Sequence, residues 1–385
     1  MQALDHVSRL SLLLLSFTMS AAAAAAPYAE YRVTVMGPAN STAVDINKAG
    51  VVVGIYPSRA GQRGFLNRGK GLVDLGALGG RASEAVAIND KGEVLGHWTT
   101  RAGQQRGFIH YAGKQRDIGV IPGRHTRYTD INNHGYATAI GDALSIDGSR
   151  SFLRDPKGRF TDIGNLRFDE PTLNHALALN NRNQVTGESG PLVFPDQPLR
   201  AFVWSRGVMR DLGDLGFTPN GGLAINDRGQ ITGYMSLPTG FRNRVAFLYH
   251  NGRLVNIDGR PDTVERSSTG LGINNHGHIV GASDHLSGFI YRGRRMQSLN
   301  ALIDPKLGWD IWRPAAINDA GQIAATAYRR GVQYAVRLDL IRPSMLSAPL
   351  LETDDEDAAL AGQAAPAAAE AEAQEREVVQ PVPQE

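Results

Sequence analysis

The 385-residue sequence contains no cysteine. Neither a disulfide nor a lipid-modified N-terminal cysteine is therefore possible, and stability has to come from packing and strand pairing. Long helical patterns are missing from the middle of the chain, and no segment after residue 26 is apolar enough to span a membrane. What is abundant is glycine: 44 glycines among 42% hydrophobic residues describe a globular chain with many turns, which favours β structure.

The first 26 residues have the order of a secretory signal peptide. Arg9 precedes the apolar run Leu10 to Phe17, and a stretch of alanines, Ala21 to Ala26, stands before Pro27. Basic, apolar and small residues in this order predict a signal peptide over residues 1–26 and a secreted or periplasmic protein. An uncleaved anchor shares the apolar run, but the run is short for a membrane span.

The chain changes character at about Ser344. Ala, Glu, Gln and Pro dominate residues 344–385, and such a stretch buries too little apolar surface to offset its ordering entropy. Its ten acidic residues and one basic residue give a charge of −9, which against a total of +2 leaves +11 for the rest of the chain. We therefore expect a disordered acidic tail over 344–385 after a basic folded body over 27–343.

Seven segments of the body share one pattern: Ile or Leu, Asn, two variable residues, Gly, and an alternating apolar run. The Asn opens a type I turn, and the fourth position needs a positive φ, which glycine adopts freely. Asn183 takes the glycine position once and is the next most tolerant residue. The anchoring residues, predicted to be structural, are Asn47, Asn89, Asn132, Asn180, Asn226, Asn274 and Asn318.

Two further strands recur in the first six repeats. One carries a Phe that we expect to pack between blades, as in Gly64-Phe65-Leu66, and the next carries an Asp that indicates turn capping or salt bridges. The seventh repeat lacks this fourth strand, whereas an unmatched strand, Val33 to Met36, precedes the first repeat. A strand offset to the other terminus closes a ring by pairing beside Ala335 to Leu338. The prediction is an all-β, seven-bladed β-propeller of four-stranded blades, with a β-solenoid or two smaller barrels as alternatives.

These motifs, Ala-Ile-Asn-Asp-x-Gly-Gln-Ile-x-Gly, a small residue with Phe, and Asp-Leu-Gly, resemble the HAF-repeat family. The resemblance covers residues 31–340 and implies an extracytoplasmic location and a propeller-like repeat, without an established reaction. One departure concerns the residue before the Ala-Phe or Gly-Phe pair, where the family name records His. The first four repeats have Arg63, Arg106, Arg150 and Arg200 there.

Sevenfold repetition argues against a catalytic role for any repeated residue, because a reaction centre needs different groups that converge on one point. Function is expected in the variable loops that join second to third strands and fourth strands to the next blade, which emerge on one face. These loops carry aromatic and arginine side chains, the types enriched at binding hot spots. The candidate ligand-binding residues are Trp98, Arg101, Arg124, Arg127, Arg242, Trp309, Trp312 and Arg313.

Two functions of different classes remain open. The first is an exported, non-enzymatic binding or scaffolding propeller that uses the long-loop face for a protein or glycan, and the basic body favours an acidic one. The second is a propeller hydrolase or lyase for a cell-envelope or extracellular polymer, with acids and His97 or His125 drawn from different loops. His276 and His278 flank a turn and indicate a surface pair rather than a metal site. We expect no cofactor, metal, nucleic-acid partner or membrane span, and a monomer.

Overall fold

The computed structural model describes residues 29–142, 148–166, 172–192, 198–216, 219–236, 243–259 and 267–341. These residues form seven separate four-stranded antiparallel sheets. The first strand of each sheet contacts the first strand of the next, and the seventh contacts the first, so that the sheets are the blades of a closed propeller around a channel. The predicted seven-bladed architecture is confirmed. The predicted signal peptide and acidic tail lie outside the described residues.

Strands are numbered in chain order, and the first strand of each blade lines the channel. The first strands are β2 (Thr42–Ile46), β6 (Ala82–Ile88), β10 (His125–Ile131), β14 (Thr172–Leu179), β18 (Asn220–Ile225), β22 (Ser268–Ile273) and β26 (Trp309–Ile317). The second strands are β3 (Val52–Ser58), β7 (Val94–Thr99), β11 (Ala137–Asp142), β15 (Val185–Pro191), β19 (Ile231–Ser236), β23 (Ile279–Ser283) and β27 (Ile323–Arg329). The third strands are β4 (Gly61–Asn67), β8 (Gln105–Tyr111), β12 (Ser149–Arg154), β16 (Arg200–Ser205), β20 (Arg244–His250), β24 (Ser287–Arg292) and β28 (Val332–Leu340). The outer strands are β5 (Leu72–Asp74), β9 (Lys114–Gly119), β13 (Phe160–Asp162), β17 (Val208–Asp211), β21 (Arg253–Asn256), β25 (Arg295–Ser298) and β1 (Tyr31–Val35).

The N-terminal strand completes the last blade. β1 pairs antiparallel with β28, from Tyr31 opposite Leu340 to Val35 opposite Val336. Tyr31 is buried in the core of blade 7. The predicted closure is therefore confirmed, and it leaves no gap between the first and last blades. Two short 3-10 helices, Leu299–Leu302 and Pro305–Leu307, connect blades 6 and 7.

The asparagine turns form a ring that reaches from blade to blade. In six of the seven turns the Asn side-chain oxygen accepts backbone N–H groups two and four residues ahead, as in Asn274, where both distances are 3.0 Å. Asn318 accepts only the one four residues ahead, from Gln322 at 2.9 Å. Each Asn amide also donates to the backbone oxygen of the Asn in the next blade, and Asn318 donates to Asn47 to close the ring at 3.0 Å. The six other bonds of the ring measure 2.8–3.1 Å. The turn positions expected to need positive φ have it, including Asn183 at 57°.

The repeated phenylalanines supply most of the large core side chains. Phe65, Phe108, Phe202, Phe247 and Phe289 are fully buried, whereas Phe152 is half-buried. The small residue four positions after each turn faces this ring within the same blade. At Gly96 an added Cβ would lie 2.4 Å from the ring of Phe108 and 2.3 Å from the Glu84 carbonyl oxygen. This close approach lies inside one blade, at the β-bulge of the first strand.

The repeated aspartates of the outer strands have the two roles that their repetition indicated. Asp117 accepts the backbone N–H of Gly119 at 2.9 Å and pairs with Arg106 at 2.8 Å. The same Arg–Asp pair recurs in the third and fourth blades at 3.2 and 3.1 Å. Three of the four arginines that precede the small residue and Phe therefore form salt bridges near the surface, each of which contributes little to stability. Arg63 differs and donates to the backbone oxygen of Arg81 at 2.8 Å.

No helix within the described part of the chain has the length and apolarity that a membrane crossing requires.

Candidate functional site

The first strand of every blade contains a β-bulge. In blade 4 the register of β14 against β15 shifts between Ala176 and Ala178, which leaves Leu177 without a cross-strand partner. The unpaired residues of the seven blades form a ring in the channel, which we call the collar. The collar consists of Val44, Val86, Thr129, Leu177, Leu223, Leu271 and Ala315. Six of the seven are apolar, so that the middle of the channel offers few hydrogen bonds.

A pocket of about 580 Å³ lies on the long-loop side of the collar. This volume is in the range of small-ligand sites. Five collar residues line the pocket, three of them leucines from blades 4, 5 and 6. The remaining lining comes from blade 7 and the adjoining strand of blade 1, and consists of Thr42, Ala43, Trp312, Arg313, Thr326 and Gln333.

The wall formed by blades 7 and 1 is polar, and its hydrogen bonding is incomplete. Arg313 and Thr326 are cross-strand partners on β26 and β27. Thr326 is 2% exposed, and its hydroxyl has no hydrogen-bond partner. Arg313 is exposed and makes no hydrogen bond or ion pair with any described residue. A buried hydroxyl without a partner costs about 1–3 kcal/mol, so this wall presents polar groups whose partners the fold does not supply.

The exposed aromatic ring of the pocket is held by a short chain of contacts. Trp312 is 48% exposed and packs edge-on against Tyr328, with ring centroids 6.0 Å apart. The Tyr328 hydroxyl donates to Gln333 at 3.2 Å, and the Gln333 amide donates to the Thr42 hydroxyl oxygen at 2.9 Å. These contacts fix the tryptophan and the glutamine in place while one face of the pocket stays open.

Two carboxylates lie immediately beyond the collar, Asp45 in blade 1 and Asp130 in blade 3. Each accepts the backbone N–H of the following residue and one from the next blade, Ile88 for Asp45 at 2.8 Å and Leu179 for Asp130 at 2.7 Å. Burial raises the pKa of both to about 7 although these hydrogen bonds oppose the shift, and the charge of Asp45 adds to the rise at Asp130. The other five blades have Ala or Gly at this position. These carboxylates were not among the sequence candidates.

Three of the predicted ligand-binding residues lie at the long-loop end of the channel strands. The structure places Trp312 and Arg313 in the pocket. Arg127 stands five residues before Asn132, as Arg313 does before Asn318, and it too is exposed and unpaired among the described residues.

The other two predicted tryptophans belong to the blade packing. Trp98 is half-buried against the core between blades 1 and 2. Trp309 packs on the core of blade 7, with the Arg329 guanidinium 5.2 Å from its ring centroid. Neither residue lines the pocket.

The remaining predicted arginines bond to the backbone or lie outside the described residues. Arg101 donates to the carbonyl of Gly79 at 3.1 Å, and Arg124 donates to that of Gly141 at 3.0 Å. Arg242 is outside the described residues. The candidate residues therefore do not form one site.

His97, which the enzyme hypothesis assigned to catalysis, is a buried structural residue. Its Nδ1 lies 2.8 Å from a Glu84 carboxylate oxygen, and its Nε2 accepts the backbone N–H of Tyr128 at 2.8 Å. The proton therefore sits on Nδ1, and no ring nitrogen is free for proton transfer. That role for His97 is wrong. His125, the other histidine considered, is exposed at the start of β10.

Blade 4 contains the same kind of pair with the residue types exchanged. His175 on β14 lies 3.0 Å from Glu188 on β15, and the Tyr234 hydroxyl donates to the second Glu188 oxygen at 2.8 Å. The Arg244 guanidinium stands 4.5 Å from the Tyr234 ring centroid. Burial alone would raise the pKa of Glu188. The hydrogen bonds from His175 and Tyr234 outweigh burial and hold this pKa below its ordinary value. The group links blades 4 and 5.

The channel residues that differ between blades occupy the same two positions of every repeat. In every repeat the residues five before and eight after the turn Asn are cross-strand partners, which we call the variable pair. The seven pairs are Thr42–Ile55, Glu84–His97, Arg127–Ile140, His175–Glu188, Gly221–Tyr234, Thr269–Ala282 and Arg313–Thr326. Sequence reasoning that looked at the loops missed Thr326. Alignment of the repeats on their Asn would have shown that both positions vary between polar and apolar residues in an otherwise uniform pattern.

The opposite mouth, on the tight-turn face, is a shallow space of about 180 Å³ lined by the asparagine ring and the residues that follow each Asn. Six of those seven residues are Asp or Asn that accept the backbone N–H of the corresponding residue in the preceding blade at 2.7–2.9 Å. Lys48 is the exception. Among the described residues no group of three or more His, Asp or Glu side chains is placed to hold a metal ion.

His276 and His278 have ring centroids 5.9 Å apart. Burial, and after it the charge of His276, lowers the pKa of His278 to about 4. The two rings therefore differ in exposure, and only His276 is on the surface.

Comparison with known proteins assigns no family and no activity to this chain. No protein-family model matches the chain, and no curated protein is similar in sequence. The β-propeller domain of the trilobed protease of Pyrococcus furiosus is 9% identical, with a TM-score of 0.49 over 79% of this chain and 99% of that domain. YCF48 of Cyanidioschyzon merolae is 12% identical, with a TM-score of 0.47 over 81% of this chain and 99% of its own. Virginiamycin B lyase of Staphylococcus aureus is 11% identical, with a TM-score of 0.44 over 81% of this chain and all of its own.

Proposed function

We propose that this protein is an exported, non-enzymatic binding propeller that takes its ligand, part of a protein or a glycan, into the pocket at the long-loop mouth of the channel. The observation that carries the proposal is the buried, partnerless hydroxyl of Thr326 beside the unpaired Arg313 and the exposed Trp312. Export and membership of the HAF-repeat family belong to the same proposal and rest on residues 1–26 and on the repeat motifs.

The composition of the pocket supports binding. Small-ligand sites are mostly apolar with a few placed polar groups, which is how the collar and the polar wall divide this pocket. Tryptophan and arginine are the residues that contribute most at binding hot spots. Both stand on the strand β26 rather than on a loop, which fixes the backbone at the site before the ligand binds.

The same lining gives no support to the hydrolase or lyase alternative. None of the described residues that line the pocket is Asp, Glu or His. Hydrolysis and elimination by acid–base catalysis need such groups within hydrogen-bond reach of the substrate. The carboxylates of Asp45 and Asp130 lie beyond the collar, and each already accepts two backbone N–H groups.

Site-specific photocrosslinking in the producing cell tests the proposal. A benzophenone amino acid at Trp312 should give a discrete adduct, and the same group at Arg228, exposed on the tight-turn face, should give none. Protease and glycosidase digestion of the adduct then distinguishes a protein from a glycan. Equal labelling from both positions, or no adduct from position 312, would contradict binding at this mouth.

A further inference from the structure

We infer that the pocket is specific for an apolar carboxylate, that is, a carboxylate joined to an aliphatic or aromatic body, either as a free acid or as the C-terminus of a polypeptide. The inference rests on the proposed function for the place where the ligand binds and specifies the chemistry of the ligand, with a free acid added to the ligand classes of that proposal. It follows from the division of the pocket into a wall of hydrogen-bond donors and a wall of hydrocarbon.

The polar wall offers hydrogens and no negative charge. Arg313 is unpaired, and its guanidinium presents a fork that matches the two oxygens of a carboxylate. Thr326, directly opposite it in the strand register, has a buried hydroxyl without a partner. The Thr42 oxygen already accepts from Gln333, so that its own hydrogen is available to an acceptor. Because the described lining contains no Asp or Glu, no negative charge in the pocket repels an anion.

The opposite wall requires an apolar body. Leu177, Leu223 and Leu271 line it from three consecutive blades, and Val44 continues it in blade 1. A sugar ring placed there would bury hydroxyl groups without partners, at a cost of about 1–3 kcal/mol for each. An aliphatic or aromatic group gains from the same contact. This wall therefore favours an acyl chain or an apolar side chain over a carbohydrate.

The channel beyond the collar determines the orientation of the ligand. Asp45 and Asp130 stand one residue past the collar, and when ionised they repel a carboxylate from that side. The carboxylate consequently stays at the mouth, against Arg313 and Thr326, while the apolar body points toward the leucines.

Calorimetric titration of the full-length mature protein tests the inference with four probes: octanoate, octan-1-ol, and the peptide N-acetyl-Ala-Leu-Leu with either a free or an amidated C-terminus. Octanoate, the free-acid peptide or both should bind, and the matching neutral probe should bind about tenfold more weakly or worse. Tighter binding of octanoate identifies a free acid as the ligand class, and tighter binding of the peptide identifies a polypeptide terminus.

Three variants locate the effect. Arg313→Gln and Thr326→Val should each weaken binding of the acid probe by about tenfold, and Arg228→Gln, the loss of an exposed arginine at the other mouth, should leave it unchanged. Thr326→Val should also keep or raise the melting temperature, because valine is close to threonine in shape and removes the unpaired hydroxyl. A structural role of Thr326 would instead leave the affinity untouched.

Three outcomes would overturn the inference: acid and neutral probes that bind equally, an acid affinity that Thr326→Val does not alter, or no binding of either acid. Any of these together with a crosslink from position 312 would leave the proposed function standing with a different ligand. The loss of that crosslink would remove the proposed function as well.

Discussion

The same seven strands form both mouths of the channel, but the two mouths differ in how completely their polar side chains are hydrogen-bonded. On the tight-turn face, every ring Asn is buried and bonds both to its own turn and to the next blade. On the long-loop face, the variable pair changes from blade to blade, and Thr326 and Arg313 have no partner among the described residues. The repeated Asn residues therefore satisfy their hydrogen bonds at the tight-turn mouth. At the long-loop mouth, residues that differ between blades leave hydrogen bonds unmade.

The residues that stabilise the fold and the residues proposed to bind the ligand therefore lie at opposite ends of the channel. The Asn that occurs in all seven turns stabilises the ring, because each copy bonds to the next copy. A ligand site needs unlike groups around one point, and the unlike groups of this chain lie at the ends of the channel strands that the asparagine ring does not use. The His–Glu pairs of blades 2 and 4 show that some variable pairs satisfy each other, whereas Arg313–Thr326 does not.

The largest effect is expected from opening the ring, on which both mouths depend. Deletion of residues 31–37 removes the outer strand of blade 7 together with the buried side chains of Tyr31 and Met36. We expect a loss of more than about 5 kcal/mol in the free energy of unfolding or the loss of a cooperative transition. Circular dichroism recorded during heating measures either effect. An unchanged melting temperature would contradict closure by this strand.

A second pair of variants compares the mouths directly. Asn274→Ala removes one bond to the next blade and two within the turn, and we expect about 3 kcal/mol of destabilisation in urea unfolding. Arg313→Gln should change stability by less than about 0.5 kcal/mol while it weakens ligand binding. If the two variants destabilise the protein equally, the assignment of one mouth to stability and the other to recognition is wrong.

The buried carboxylates predict a pH dependence. Burial raises the pKa of Asp45 and Asp130 to about 7 in the folded state, above about 3.9 for an unfolded Asp. The folded protein therefore holds more protons between pH 4 and 7, and this contribution to stability is lost as the pH rises through that window. Between pH 5.5 and 8 we expect Asp45→Ala, which copies the residue of four other blades, to reduce the fall in unfolding free energy by about 2 kcal/mol. The double variant with Asp130→Ala should reduce it further, and a slope that neither variant alters would contradict the raised pKa values.

The smallest effect concerns charge at the two mouths and leaves stability unchanged. Removal of the acidic residues 344–385, which lie outside the described residues, should strengthen retention on an anionic matrix at low salt. Loss of Arg127 and Arg313 in that truncated protein should lower retention more than loss of Arg182 and Arg228 at the tight-turn mouth. The difference should fade in high salt because exposed charges are then screened. Equal retention of full-length and truncated protein would assign the tail to solubility.

Much of the fold could be predicted because its determinants are local. The Asn-to-Gly turn and the Phe strand recur every 42–48 residues. The missing fourth strand of the last repeat predicted closure by the strand around Val33 to Met36, which the structure places at Tyr31–Val35. Trp312 and Arg313 could be named as candidates for the same reason: their types are typical of binding sites wherever they stand.

What only the tertiary structure decided are the contacts between strands and between blades, where residues that are distant in the sequence meet. The sequence did not show that the second nitrogen of His97 accepts the backbone N–H of Tyr128 in the next blade. Nor did it single out Asp45, whose carboxylate accepts the backbone N–H of Ile88. Thr326 is one threonine among many in the sequence. It becomes a candidate for ligand binding because two strands bury its hydroxyl opposite Arg313 without a partner, and hydrogen-bond satisfaction is a property of three-dimensional surroundings rather than of residue type.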